Sequence, residues 1–153
     1  MLAAALFWIW VLFVAPAAPE DKLKDPAFSR AAQTVCTNAV NDLSANNLLN
    51  QKTATPGERA DLVERQSARL TSMVQQLRGL SVSNADDAHA VTTWLDDWDQ
   101  WLRDRATWAT QLRAGQDAPF NEKADVNGDP NSKPLVAFAI TNEMGACVTP
   151  YGV

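Results

Sequence analysis

Residues 85–114 read ADDAHAVTTWLDDWDQWLRDRATWATQLRA, and this run decides the fold. Val91, Trp94, Leu95, Trp98, Trp101, Leu102, Arg105, Trp108, Ala109 and Leu112 recur through it at steps of three and four. That is the spacing of a single α-helical face, sustained for about six turns, so the run predicts a helix with one buried stripe. Ser83 or Asn84 can cap its start. Asp86 and Asp87 then stand in the first turn, where the helix dipole favours anions. Arg113 in the last turn and Gly115 just beyond it mark the end.

Moving toward the N-terminus, Thr55-Pro56-Gly57-Glu58 is a second start signal. Thr caps, Pro suits the first helical position, and Glu three residues after Thr closes a capping box. Leu62, Val63, Gln66, Leu70, Met73, Val74 and Leu77 form the stripe that follows. Asp61 with Arg65 is an i,i+4 pair on the wet side, and Gly79 is the stop. The short segment from Leu80 to Asn84 makes this helix an antiparallel neighbour of the Trp-rich one. A further helix is expected from Ala27 to about Asn50, on Phe28, Ala32, Val35, Cys36, Ala39, Val40, Leu43 and Leu48. The Ser44-Ala45-Asn46-Asn47 run weakens its second half, so a stop near Asn47 is possible.

Toward the C-terminus the period is lost from Gln116 to Lys133, where Asn127-Gly128 suits a two-residue hairpin turn. A short helix is expected from about Pro134 to Met144, bringing Leu135, Phe138 and Ala139 onto the bundle before Gly145 releases the chain. The expected fold class is all-α. An N-terminal transmembrane helix precedes a three- to four-helix antiparallel bundle with a short hairpin or loop insertion and one disulfide.

The length of 153 residues suits one domain, and 13 Lys and Arg against 18 Asp and Glu give a net charge of −5. An acidic chain without clustered Lys or Arg argues against nucleic acid as a partner, because phosphate binding needs such clusters. One His, six Gly without pattern and two Cys supply no phosphate-cradling loop, zinc knuckle or His-based catalytic arrangement. The chain is therefore read as a non-enzyme with no cofactor, metal or catalytic residues.

Every charge lies at or after Glu20, whereas residues 2–14 read LAAALFWIWVLFV. Residues 1–19 are accordingly a transmembrane anchor or signal segment, with the membrane as partner. A helix ending near Pro16 would span roughly 22 Å, short of a hydrocarbon core of roughly 30 Å. Trp8 and Trp10 are bulky for a signal peptide, and Pro16 and Pro19 sit awkwardly around the small-residue cleavage site that Ala15-Pro16-Ala17 would offer. These features favour a single-pass anchor in the cell membrane over secretion after cleavage. Either route places residues 27–153 outside the cytoplasm. Lys22, Lys24 and Arg30 just after the segment would argue the opposite orientation by the positive-inside count; a longer native N-terminus would supply both the missing length and the missing basic flank. Residues 20–26, within PAAPEDKLKDP, read as a stalk.

Cys36 and Cys147 are the only two cysteines. Joined, they would staple the tail to the first soluble helix, and such a bond needs an oxidising compartment. The alternative is two unrelated buried thiols in the cytosol. Exposed Trp residues beside carboxylates would suit a cell-wall glycan or a small molecule, and Trp94, Trp98, Trp101, Arg105 and Trp108 are the candidate ligand or interaction residues. Their shared stripe favours core packing instead. Arg105, a charge on that stripe, calls for a partner such as Asp42, Glu64 or Glu143. Asp96, Asp97, Asp99, Arg103 and Asp104 read as a solvated face, with Asp99 and Arg103 at i,i+4 spacing. Asp125-Val126-Asn127-Gly128-Asp129 opens like a calcium loop but continues with Pro130 and Val136 where that loop needs Gly and an acid. His89 with Asp86 has metal-site spacing but no second His.

The segments Trp94-Leu95-x-Asp97-Trp98, Asp104-Arg105, Trp108-Ala109-x-x-Leu112-Arg113 and Phe138-Ala139-x-x-Asn142-x-Met144-x-x-Cys147-x-x-Pro150 resemble an uncharacterised group of small actinobacterial proteins with one N-terminal membrane helix and a helical outer domain. The resemblance implies a shared anchored architecture and no particular reaction. It also implies an Asp-Gly hairpin where this chain has Asn127-Gly128, and a basic start that this chain lacks. The functional expectation is a protein-interaction or structural role in the cell envelope, with an envelope protein as partner. The alternative is a ligand-binding module with a Trp-lined crevice.

Overall fold

The computed structural model describes residues 22–49, 51–124 and 128–149. The anchor or signal segment read over 1–19 lies outside them. Among the described residues no helix is long and apolar enough to cross a membrane. The order is α1 Pro26–Ala45, α2 Pro56–Arg78, α3 Ala85–Arg113, α4 Ser132–Thr141 and a 3-10 turn over Gly145–Cys147. The described residues contain no strand, and the expected hairpin is reduced to a bridge between Ala124 and Pro130, with Gly128 at φ 84°. Asn127 lies outside the described residues.

The start signals act as their side chains dictate. Thr55 Oγ1 accepts from the Glu58 N–H, and the Glu58 carboxylate accepts from the Thr55 N–H at 3.0 Å, which closes the capping box. Asn84, rather than Ser83, caps α3 through the N–H groups of Asp86 and Asp87. Asp25 caps α1.

Helix α1 ends close to the stop expected near Asn47, whereas α4 is bounded differently from expectation. Helix α1 stops at Ala45 because Asn47 turns left-handed at φ 56°, and the Leu48 N–H then donates to Leu43 O at 2.8 Å. Asparagine tolerates that conformation, and Leu48 folds back onto the core beside Leu43. Helix α4 spans Ser132–Thr141, not Pro134 to Met144. Its terminator is Glu143 at φ 60°, with the Met144 N–H donating to Ala139 O, so Gly145 is not the residue that ends it.

Helices α2 and α3 run antiparallel. Arg78 at the end of α2 reaches Asp96 and Asp99, while Arg113 at the end of α3 reaches Asp61 and Glu64. The pairs expected within single helices, Asp61–Arg65 and Asp99–Arg103, give way to these cross-helix bridges. Arg65 and Arg103 turn instead to Gln51 and Gln100.

The main core joins all four helices, with Phe28, Leu43, Leu77, Trp94, Trp98 and Leu135 buried in it. A smaller cluster of Ala60, Val63, Trp108, Ala109 and Leu112 fills the other end of the α2–α3 pair, under Phe120. The disulfide Cys36–Cys147 is present, both sulfurs wholly buried, and ties the 3-10 turn to α1.

The stalk read over 20–26 does not extend through Leu23. The Leu23 N–H donates to Asn142 Oδ1 at 2.8 Å, and the Lys24 and Asp25 N–H groups both donate to the Asp87 carboxylate at about 3.0 Å. The buried Asp87 carboxylate, facing these two N–H groups, holds the segment Leu23 to Asp25 against the start of α3.

Candidate functional site

Each Trp of the α3 stripe points into the bundle. Trp94 is 2% exposed, stacks on Phe138 at 5.2 Å and donates to Leu135 O. Trp98 is fully buried, edge-on to Trp101 at 5.6 Å, and its Nε1 has no acceptor. Trp101 donates to Glu122 Oε1, and Trp108 donates to Ala118 O at 2.8 Å. The indole faces are thus used in packing and present no open stacking platform in this conformation.

Arg105 is the unusual group. It is 0% exposed, with Nε 3.1 Å from Ser67 Oγ and Nη2 2.5 Å from Gln66 Oε1, while Nη1 has no acceptor among the described residues. Its guanidinium carbon lies 4.8 Å over the Trp101 ring and 6.0 Å from that of Phe120. Burial lowers its pKa to about 10, so it remains a cation at neutral pH.

None of the three carboxylates expected from the sequence meets it. Asp42 pairs with Arg69, Glu64 pairs with Arg113, and Glu143 lies exposed beyond α4. The register of α2 on α3 sets Gln66 and Ser67 opposite Arg105, so its hydrogen bonds go to neutral oxygens. Gln66 is held in turn by donating to Leu48 O at 2.6 Å.

Asp104, expected on the solvated face, is 9% exposed. Its carboxylate accepts from Gln100 Nε2 and from the Lys123 N–H, which pins the irregular segment after α3. Partial burial and the neighbouring Asp96 raise the pKa of Asp97. Asp96 and Asp99 hold Arg78, and that pairing raises its pKa.

The segment from Gln116 to Lys123 carries Phe120 against Trp101 at 6.0 Å and Trp108 at 5.3 Å. Beside this ring opens a cleft of about 350 Å³ lined by Leu49, Arg59, Leu62, Val63, Trp108 and Phe120, among others. A second cleft, of about 340 Å³, lies where the chain enters, between Lys22, Arg30 and Asn142.

His89 is exposed, and no three His, Cys, Asp or Glu side chains gather as a metal site among the described residues. The calcium-like residues Asp125 to Asn127 lie outside them. Sequence reasoning missed Asp87 and Asn142 as clamps on the entering chain, and Phe120 as a wall. The available signals were slight: an Asp in a first turn, and one aromatic in an aperiodic stretch.

No known protein family, curated protein or solved structure matches this chain.

Proposed function

We propose that the chain is a membrane-anchored, extracytoplasmic helical domain, not an enzyme, that binds another protein or plays a structural role in the cell envelope. The observation that carries this reading is the buried Cys36–Cys147 disulfide. A structural disulfide of this kind persists in an oxidising compartment and is rare in the cytosol. The apolar run at residues 2–14 supports the anchorage, since it supplies a route out of the cytoplasm.

For the interaction role, the candidate contact point is Ile140, 63% exposed on the outer side of α4. Fractionation of intact cells with protease added from outside tests the placement. The expected result is a membrane-bound chain degraded without permeabilisation; a protected or cytosolic chain overturns it. A photo-crosslinking residue at position 140 then tests the interaction role, with a discrete crosslinked species expected in the native envelope.

A further inference from the structure

Arg105 lies behind Phe120, beside the cleft but not among the residues that line it. The guanidinium is fully enclosed, and its Nη1 has no acceptor among the described residues. Carboxylates on the neighbouring segments are committed elsewhere: Asp104 to Gln100 and Lys123, Glu122 to Trp101 and Ser132, Glu64 to Arg113. A buried cation normally has a charged partner, because its attraction to an anion offsets the loss of water. Here the described residues supply Ser67, Gln66 and the rings of Trp101 and Phe120.

The cleft lies over the same helical turns. Trp108 stands one turn beyond Arg105 on α3, Val63 one turn before Gln66 on α2, and both line it. Phe120 is shared: its ring lines the cleft and lies 6.0 Å from the guanidinium carbon. It is carried by a segment without helix or strand, and it is only partly buried. The volume of about 350 Å³ falls within the range of small-molecule sites, which combine apolar walls with a few fixed polar groups.

We propose that Arg105 and this cleft form a binding site for a small organic carboxylate with an apolar body. The carboxylate accepts from Arg105 Nη1 once the Phe120 ring turns aside, and the apolar body lies against Leu62, Val63 and Trp108. Gln66 and Ser67 hold the guanidinium in place for it. The inference does not rest on the cellular location of the chain, since the site is built from α2, α3 and the segments carrying Leu49 and Phe120.

The test is titration of the full oxidised chain, in nanodiscs, with 3-phenylpropanoate and its uncharged amide at constant ionic strength. Tryptophan fluorescence and the thermal midpoint are the readouts. The acid is expected to give a saturable fluorescence change and a raised midpoint, with the amide weaker by at least about tenfold. Arg105→Met should retain its helical signal yet bind acid and amide alike, and Phe120→Ala should bind the acid at least as tightly as the parent. Should Arg105→Met not fold, Arg105→Lys, which keeps the charge and loses the fork, is expected to weaken acid binding selectively. Equal responses to acid and amide in the parent chain, no response to either, or an unchanged preference in the Arg105 variant would each overturn the proposal.

Discussion

Replacing both cysteines, Cys36→Ala with Cys147→Ala, removes the one covalent constraint between α1 and the tail. The two positions are 111 residues apart, and in the chain-entropy model a loop of that length gives about 4.8 kcal/mol. Small domains are stable by about 5–15 kcal/mol, so the bond supplies a large share of the total. The native side adds a smaller cost, because both sulfurs are wholly buried and their removal leaves a void in the core. The tail also loses its anchor. The Asn142 hold on Leu23 and the Ala146 N–H bond to Gln33 Oε1 depend on the last residues staying against α1. Urea unfolding followed by circular dichroism, with the oxidised parent beside the variant, reads the difference. A loss of about 4–5 kcal/mol is expected, together with faster amide exchange over residues 142–149. A loss below about 1 kcal/mol would refute the reasoning, showing that packing alone holds the tail.

Four further outcomes follow from the geometry. Trp98→Ala, which empties a wholly buried site at the centre of the bundle, should cost about 3–5 kcal/mol by urea unfolding, and a loss under about 1 kcal/mol would contradict its core role. Asp87→Ala strips the acceptor from the Lys24 and Asp25 N–H groups, so stability should fall by about 1–3 kcal/mol and trypsin should cut faster after Lys22 and Lys24. Thr55→Ala opens the capping box and should cost about 1 kcal/mol, read by the same denaturation curve. On acidification, Glu64 (hydrogen-bonded by Arg113), Asp86 (by Lys24), Asp25 (by Ser83 and the Ala27 N–H) and Glu58 (by the Ala54 and Thr55 N–H groups) all have lowered pKa values. Each binds fewer protons folded than unfolded across the carboxylate range, so their stabilisation is complete above that range and is lost as pH falls through it. Asp97, raised by burial and by Asp96, acts in the opposite sense and offsets part of the loss. The urea midpoint should therefore drop between neutral pH and the acid side of the carboxylate range, and a midpoint that rises would contradict the assignment.

Helices α2 and α3 were legible because their stripes and caps are local. A period of three and four with Thr55 or Asn84 at the head leaves little choice. The ends of α1 and α4 were less so: Asn47 and Glu143 adopt the left-handed turn that sequence reading assigns to glycine, and long-range packing of Leu48 and Met144 decides it. The partner of Arg105 was hidden for another reason. A stripe shows that a residue faces inward but not which turn of the neighbouring helix it meets, and Gln66 and Ser67 won that register over three available acids. The clamp on Leu23, Lys24 and Asp25 joins segments more than 60 residues apart, and no spacing rule reports such a contact. Phe120 lay in a stretch without period, where burial has no pattern to announce it.

The proposed placement of the bundle outside the cytoplasm rests on the disulfide that staples α1 to the tail. The most direct measurement is a non-reducing peptide map of the native chain from cells quenched with an alkylating agent before lysis. The account predicts the Cys36 peptide linked to the Cys147 peptide, with no alkylated thiol at either position. Recovery of both peptides separately, each carrying the alkyl label, would contradict it.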